Sequence, residues 1–188
     1  NYDVAVEYLD SAADILPISY KSQLDLGFSY RRLKQYELAK LHYQKAIALN
    51  PYVAESWFGL GVVAEETDGI ESAIPYYQKA VTINPYSHPR SHAALARMYH
   101  QQFDYETAAS ILQKAVTDYY PINGNYRQME TVFKSTSFNT EVVNLYAYYA
   151  EVLILLGQKE DAQHFLSIAQ DLDPNNLRVK LVESLISL

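Results

Sequence analysis

Apolar residues recur along this chain at spacings of three and four, separated by polar ones, which is the periodicity of helices that bury one face. The pattern has a longer rhythm set by prolines. Five positions before Pro51 and Pro85 stands a small residue (Ala46, Ala80), eight before stands an aromatic (Tyr43, Tyr77), and twelve before stands an alanine (Ala39, Ala73). The same offsets from Pro174 fall on Ala169, Leu166 and Ala162, and from Pro17 on Ala12, Leu9 and Ala5. A fifth copy, its proline displaced by one to Pro121, gives Ala115, Leu112 and Ala108. The phrase "YQKAIALNPY" at 43–52 returns as "YQKAVTINPY" at 77–86, an offset of 34 residues.

Each copy has an earlier half. Counted from starts at Tyr20, Ala54, Pro89 and Val143, the fourth, seventh, eighth and eleventh positions read Gln23, Leu26, Gly27, Tyr30, then Trp57, Leu60, Gly61, Ala64. They continue as His92, Leu95, Ala96, Tyr99 and Tyr146, Tyr149, Ala150, Leu153. Every unit is therefore expected to be two amphipathic helices joined by a turn such as "TDGIE" or "LGQKE". Gly27, Gly61, Ala39 and Ala73 let the paired helices approach, and Pro51 and Pro85 end the second helix, since proline lacks the N–H and clashes with the preceding turn.

The predicted organisation is a single array. Residues 1–18 form the second helix of a partial repeat, full repeats cover 20–53, 54–87, 89–121 and 143–176, and 177–188 form a C-terminal capping helix. The opening half-repeat predicts a fragment of a longer protein or an atypical cap. Residues 122–141 interrupt the period as an insert, in which Tyr126, Met129 and Phe133 share helical spacing. Such an insert either packs on the array or contributes to a binding surface. After Pro174, the leucines at 177, 181, 185 and 188 fall on one side of the last helix, as a lid on the final unit or the beginning of another repeat.

Composition narrows what the array can do. The chain has 188 residues, 49% of them hydrophobic, enough for a continuous core. No apolar run reaches the length of a membrane-spanning helix, so membrane insertion is not expected. A net charge of −7, from 15 basic and 22 acidic residues, disfavours nucleic acid, whose binding rests on phosphate neutralisation. The absence of cysteine removes disulfides, thiol nucleophiles and Cys-based zinc sites and leaves the compartment open, the cytoplasm being the default reading. His88 and His92 lie four apart with His100 eight further on, but no carboxylate at a neighbouring turn completes a metal-ligand set. Met98 and Met129 read as gap fillers, and the acids Glu65, Glu66, Asp68, Asp104 and Glu106 as solvated inter-helix turns. No phosphate loop, nucleophile elbow or paired-acid motif occurs, so neither catalysis nor a cofactor is expected.

The 34-residue unit with Trp/Tyr, Leu-Gly, Tyr, Ala, Tyr/Leu, Ala and Pro at these intervals resembles the tetratricopeptide repeat. "WFGLGVVAEETDGIESAIPYYQKAVTINP" matches its pattern at seven of eight signature positions, with Ala64 in place of the usual tyrosine. The resemblance implies an all-α fold, a right-handed superhelical solenoid of antiparallel helix pairs, whose first helices line a concave groove. It also implies that the second, fifth, ninth, twelfth and thirteenth positions of each unit face that groove. Those include Lys21, Leu24, Phe28 and Arg31, then Glu55, Phe58 and Val62, then Arg90, Arg97 and His100, and Glu151 in the last unit. Phe28, Phe58 and Arg97 are the candidate anchors, the alternative for the two aromatics being packing between neighbouring units. The two-carboxylate clamp by which some members grip chaperone tails would place its bases and amides where this chain has Leu24, Phe28, Gly59, Arg90 and Ala94, so only Arg90 fits.

The function expected is a protein–protein interaction module, an adaptor or scaffold holding a peptide or folded segment of another protein in the concave groove. The alternatives are a structural or self-association segment of a larger multi-repeat protein, docking through open repeat ends, and a non-catalytic arm of an enzyme.

Overall fold

A computed structural model describes Val4 and residues 19–85, 89–119 and 136–186 of the chain. Apart from Val4, the partial repeat at 1–18 lies outside the described residues, as do the insert residues Tyr126, Met129 and Phe133. Helix is the only regular secondary structure among the described residues, and the chain divides into two compact units, 1–84 and 85–188.

In the first unit, α1 (Tyr20–Arg32) pairs with α2 (Tyr36–Leu49) and α3 (Ala54–Thr67) with α4 (Ile70–Ile83), and α2 packs against α3. Three-residue and two-residue connections within the pairs force neighbouring helices antiparallel. The core joins Leu26, Tyr30, Ala39, Tyr43, Leu60 and Val63. Tyr43 is the keystone, with 2% of its surface exposed. A Cβ on Gly27 would lie 2.7 Å from Tyr43 Cδ1, and one on Gly59 would press into Cε1 and Cζ of the same ring. Gly61 makes the same allowance for Tyr77, where a Cβ would meet Cε1 at 2.6 Å. The glycines are thus where a tyrosine of the second helix lies flat against a first helix. Gly27 and Gly61 carry this in the repeat pattern; Gly59 is the addition.

The second unit comprises α5 (Pro89–Gln101), α6 (Tyr105–Lys114) continued by a π-helical turn (Ala115–Tyr119), α7 (Thr136–Leu155), α8 (Lys159–Leu172) and α9 (Leu177–Ile186). The long α7 packs against α5, α6, α8 and α9, and its Leu145, Tyr146, Ala150, Val152 and Leu153 are buried at the centre. It starts at Thr136, seven residues before Val143, so the last residues assigned to the insert belong to this helix. Glu141, in that extension, pairs with Arg90 of α5.

The turn between the helices of each repeat uses one left-handed residue: Lys34 (φ 59°), Gly69 (φ 92°), Phe103 (φ 62°) and Gly157 (φ 76°). A backbone bond closes each turn, from Gln35 N to Tyr30 O (2.9 Å), Gly69 N to Ala64 O (3.0 Å), Asp104 N to Tyr99 O (3.0 Å) and Gln158 N to Leu153 O (2.9 Å). Asp104 then caps α6 by accepting from Thr107 N at 3.0 Å. Its hydrogen bonds from Thr107 hold its carboxyl below the usual aspartate range.

The last helix differs from the expected lid in the face it uses. Val179 and Val182 are fully buried against the unit, whereas Leu177 is 85% exposed and Leu181 53% exposed. Leu177, Leu181 and Leu185 face outward, whereas the valines join the core with α7 and α8, and Leu188 lies outside the described residues.

Candidate functional site

The first helices of the repeats carry the candidate positions. On α1, Lys21 and Phe28 are exposed, while Leu24 and Arg31 are half-buried. Phe28 keeps 42% of its surface accessible. The Arg31 guanidinium lies over the Phe28 ring, 5.2 Å from its centroid, and Arg31 Nε donates to Tyr43 Oη at 3.4 Å. The buried Tyr43 hydroxyl is pushed above the ordinary phenol value by desolvation, partly offset by Arg31. On α3, Glu55 is exposed and Val62 half-buried. Phe58 tilts onto the Tyr77 ring at 5.6 Å between centroids, and Tyr77 Oη donates to Glu65 at 2.8 Å.

The twelfth position thus does one structural job with opposite charges. Arg31 donates to the tyrosine hydroxyl of its own repeat, and Glu65 accepts from it. A phenol serves both because it donates and accepts. The neighbouring acids are also engaged: Glu66 accepts from Tyr36 at 3.4 Å and Asp68 lies 3.9 Å from Lys40.

In the second unit the twelfth position is His100, and Leu112 stands where the tyrosine would be. His100 turns instead to the next repeat, its Nδ1 2.9 Å from Tyr148 Oη with the rings stacked at 5.8 Å. Arg178 of α9 covers the same phenol, its Cζ 4.6 Å from the ring centroid, and pairs with Glu151 at 3.3 Å. Burial first, then the Glu151 charge, push the Tyr148 hydroxyl well above the usual value against the pull of Arg178 and Arg97. Tyr148 therefore remains protonated at neutral pH and donates to His100 when that imidazole carries its proton on Nε2. Arg97, His100 and Glu151 are brought together around one phenol.

Two members of this cluster, Tyr148 and Arg178, were not among the candidate positions. Arg178 occupies the second position of a unit counted on from Leu177, so extending the repeat frame across Pro174 finds it. Tyr148, at a sixth position, has no such signal. Arg90 pairs with Glu141 through its Nε and a terminal nitrogen and remains exposed. His92 is buried with its Nε2 3.0 Å from Pro85 O, a packing role, and His88 lies outside the described residues.

The arrangement defines a helical-repeat array in which one helix of each pair keeps the frame and the other displays variable side chains. Tetratricopeptide-repeat profiles match residues 24–88 and 89–117. The chain belongs to the tetratricopeptide repeat family, a fold that serves as a protein-interaction scaffold. Among solved structures it is similar to MamA, at 17% identity over 92% of this chain and 89% of that one, with a TM-score of 0.65. A thermophilic repeat protein from Thermus thermophilus superposes at a TM-score of 0.64, with 16% identity over 100% of this chain and 91% of that one. YrrB, described as a repeat protein with an unusual peptide-binding site, gives 0.61 at 15% identity, covering 97% and 84%. At these identities the likeness is one of fold. No curated protein matches the chain.

Proposed function

We propose that the chain is a non-catalytic protein-interaction module whose first helices hold a peptide segment of another protein. The observation that carries this reading is Phe28, an aromatic ring left 42% exposed and held beneath an arginine. A surface phenylalanine costs solvation, and the Arg31 lock limits its freedom, so a partner that covers it loses little side-chain entropy on binding. Lys21 and Glu55, exposed on the same helices, supply rim charges of both signs, which suits a peptide better than a polyanion. Arg97, beside Tyr148, is the corresponding candidate in the second unit. That a structural relative is described as binding peptide adds support.

Peptides selected from a displayed random library against the wild-type chain test this. Phe28→Ala is expected to weaken the selected peptides at least tenfold by calorimetry, with an unchanged helical melting curve. Equal affinity for wild type and for both Phe28→Ala and Arg97→Ala would overturn the reading.

A further inference from the structure

The second helices of successive repeats flank a gap floored by the first helix between them, and the two units treat that gap differently. In the first unit, between α2 and α4 over α3, the remaining void is about 10 Å³. Lys40 reaches across it toward Asp68 at 3.9 Å, and Tyr76 fills its side while stacked on Trp57 at 6.5 Å. In the second unit, between α6 and α8 over α7, the equivalent gap is an open cleft of about 560 Å³. At the twenty-first position of the repeat the closed gap has Lys40 and the open one Ala109.

The open cleft has a defined chemistry. Its base is the buried Tyr149 and Leu153 of α7, and its accessible apolar lining is the half-buried Phe165 of α8 with Leu156, the Tyr149 and Phe165 rings lying 4.6 Å apart. Glu106 from α6 and Asp161 from α8 stand on opposite rims, both exposed. His164 also stands on the rim, and among the described residues no lysine or arginine lines the cleft. The Tyr149 phenol is raised by burial and then by the Asp161 charge, so the field of that carboxylate reaches the floor. An apolar lining between two carboxylates without a lining cation is complementary to an apolar side chain flanked by a base. The ten residues of α6 span about 15 Å, enough to bed two to three turns of a helix.

We propose that this cleft is a second binding site, built on the α6 and α8 helices, for a basic amphipathic peptide segment of a partner protein. Its apolar face lies on Phe165 and Leu156, over the buried Tyr149, and its lysine or arginine lies between Glu106 and Asp161. The site is independent of the first-helix faces, since its lining comes from α6, α8 and the opposite side of α7.

Three labelled dodecapeptides test it by fluorescence anisotropy on the whole chain: a helical Leu/Lys peptide, the same layout with Glu for Lys, and the layout with Ser for Leu. The Leu/Lys peptide is expected to bind at least tenfold more tightly than either control. Ala109→Lys, which rebuilds the plug of the first unit, and Ala109→Gln, which fills space without charge, are each expected to cost at least tenfold. The double variant Glu106→Gln/Asp161→Asn, at exposed positions that leave the fold intact, is expected to weaken binding and flatten its salt dependence. Equal binding of the Ser/Lys control would reveal attraction to net negative charge alone and overturn the proposal. So would wild-type affinity in both Ala109→Gln and the double charge variant. A loss that tracks Phe28→Ala instead moves the peptide to the first-helix face and overturns the cleft assignment alone.

Discussion

Tyr43 shows how one side chain sets its neighbours. Its ring is clamped between α1 and α3 because Gly27 and Gly59 lack side chains where the ring passes. Its hydroxyl, buried with the ring, is tied to Arg31, which lies over Phe28. Packing at the repeat's keystone and display at its surface are therefore linked through three residues. Gly59→Ala places a methyl against a ring that is fixed on both sides, so the ring or the helix must shift. Such overpacking costs about 1–3 kcal/mol, and chemical denaturation should show a lowered midpoint with an unchanged slope. Gly157→Ala provides the contrast. Nothing lies near its missing Cβ, so any cost there comes from its positive φ rather than from contact. The glycine in "LG" is legible as part of the repeat pattern. Gly59 is not, because the contact that demands it comes from the tyrosine of the preceding repeat.

At the scale of the element, the periodicity of the sequence locates helices well and their partners less well. The second helices appear where the Ala–Tyr/Leu–Ala spacing places them, since those residues pack against first helices. A first helix has more than one neighbour, so its apolar positions divide among several surfaces. Phe28 and Phe58 hold different positions of their units and meet different fates, one exposed beneath Arg31 and one tilted onto Tyr77. In α9 the same ambiguity puts Leu177, Leu181 and Leu185 on the outside while Val179 and Val182 are buried. Period alone does not choose between two apolar stripes on one helix. The choice is testable by a pair of substitutions. Val182→Ala removes buried methyl groups and should cost about 2 kcal/mol. Leu181→Ser, on the exposed stripe, should stay within about 0.5 kcal/mol of wild type in urea denaturation. The reverse ranking would place α9 the other way round on its unit.

At the scale of the molecule, the repeat spreads a uniform frame under a surface whose charges do not repeat. The twelfth position runs Arg31, Glu65, His100 and Ile154, while the three packing positions of each second helix keep to alanine, tyrosine or leucine, and alanine. The family is legible because the frame is repeated four times, and a partner is not, because what would meet it occurs once at each place. Summed over the chain the surface is acidic, with a net charge of −7, and its first-helix cations are engaged in part by internal partners: Arg31 by Tyr43, Arg90 by Glu141 and Arg178 by Glu151. Binding to nucleic acid gains its free energy from counterions released as free cations meet phosphates. Lowering salt strengthens that attraction where a basic stripe exists and strengthens repulsion where the field is negative. A labelled single-stranded oligonucleotide titrated with the chain at low and moderate salt should therefore show no saturable anisotropy change at either. A saturable rise that grows as salt is lowered would mean that the first-helix arginines leave their internal partners for phosphate. That outcome would displace the peptide reading in favour of a polyanion one.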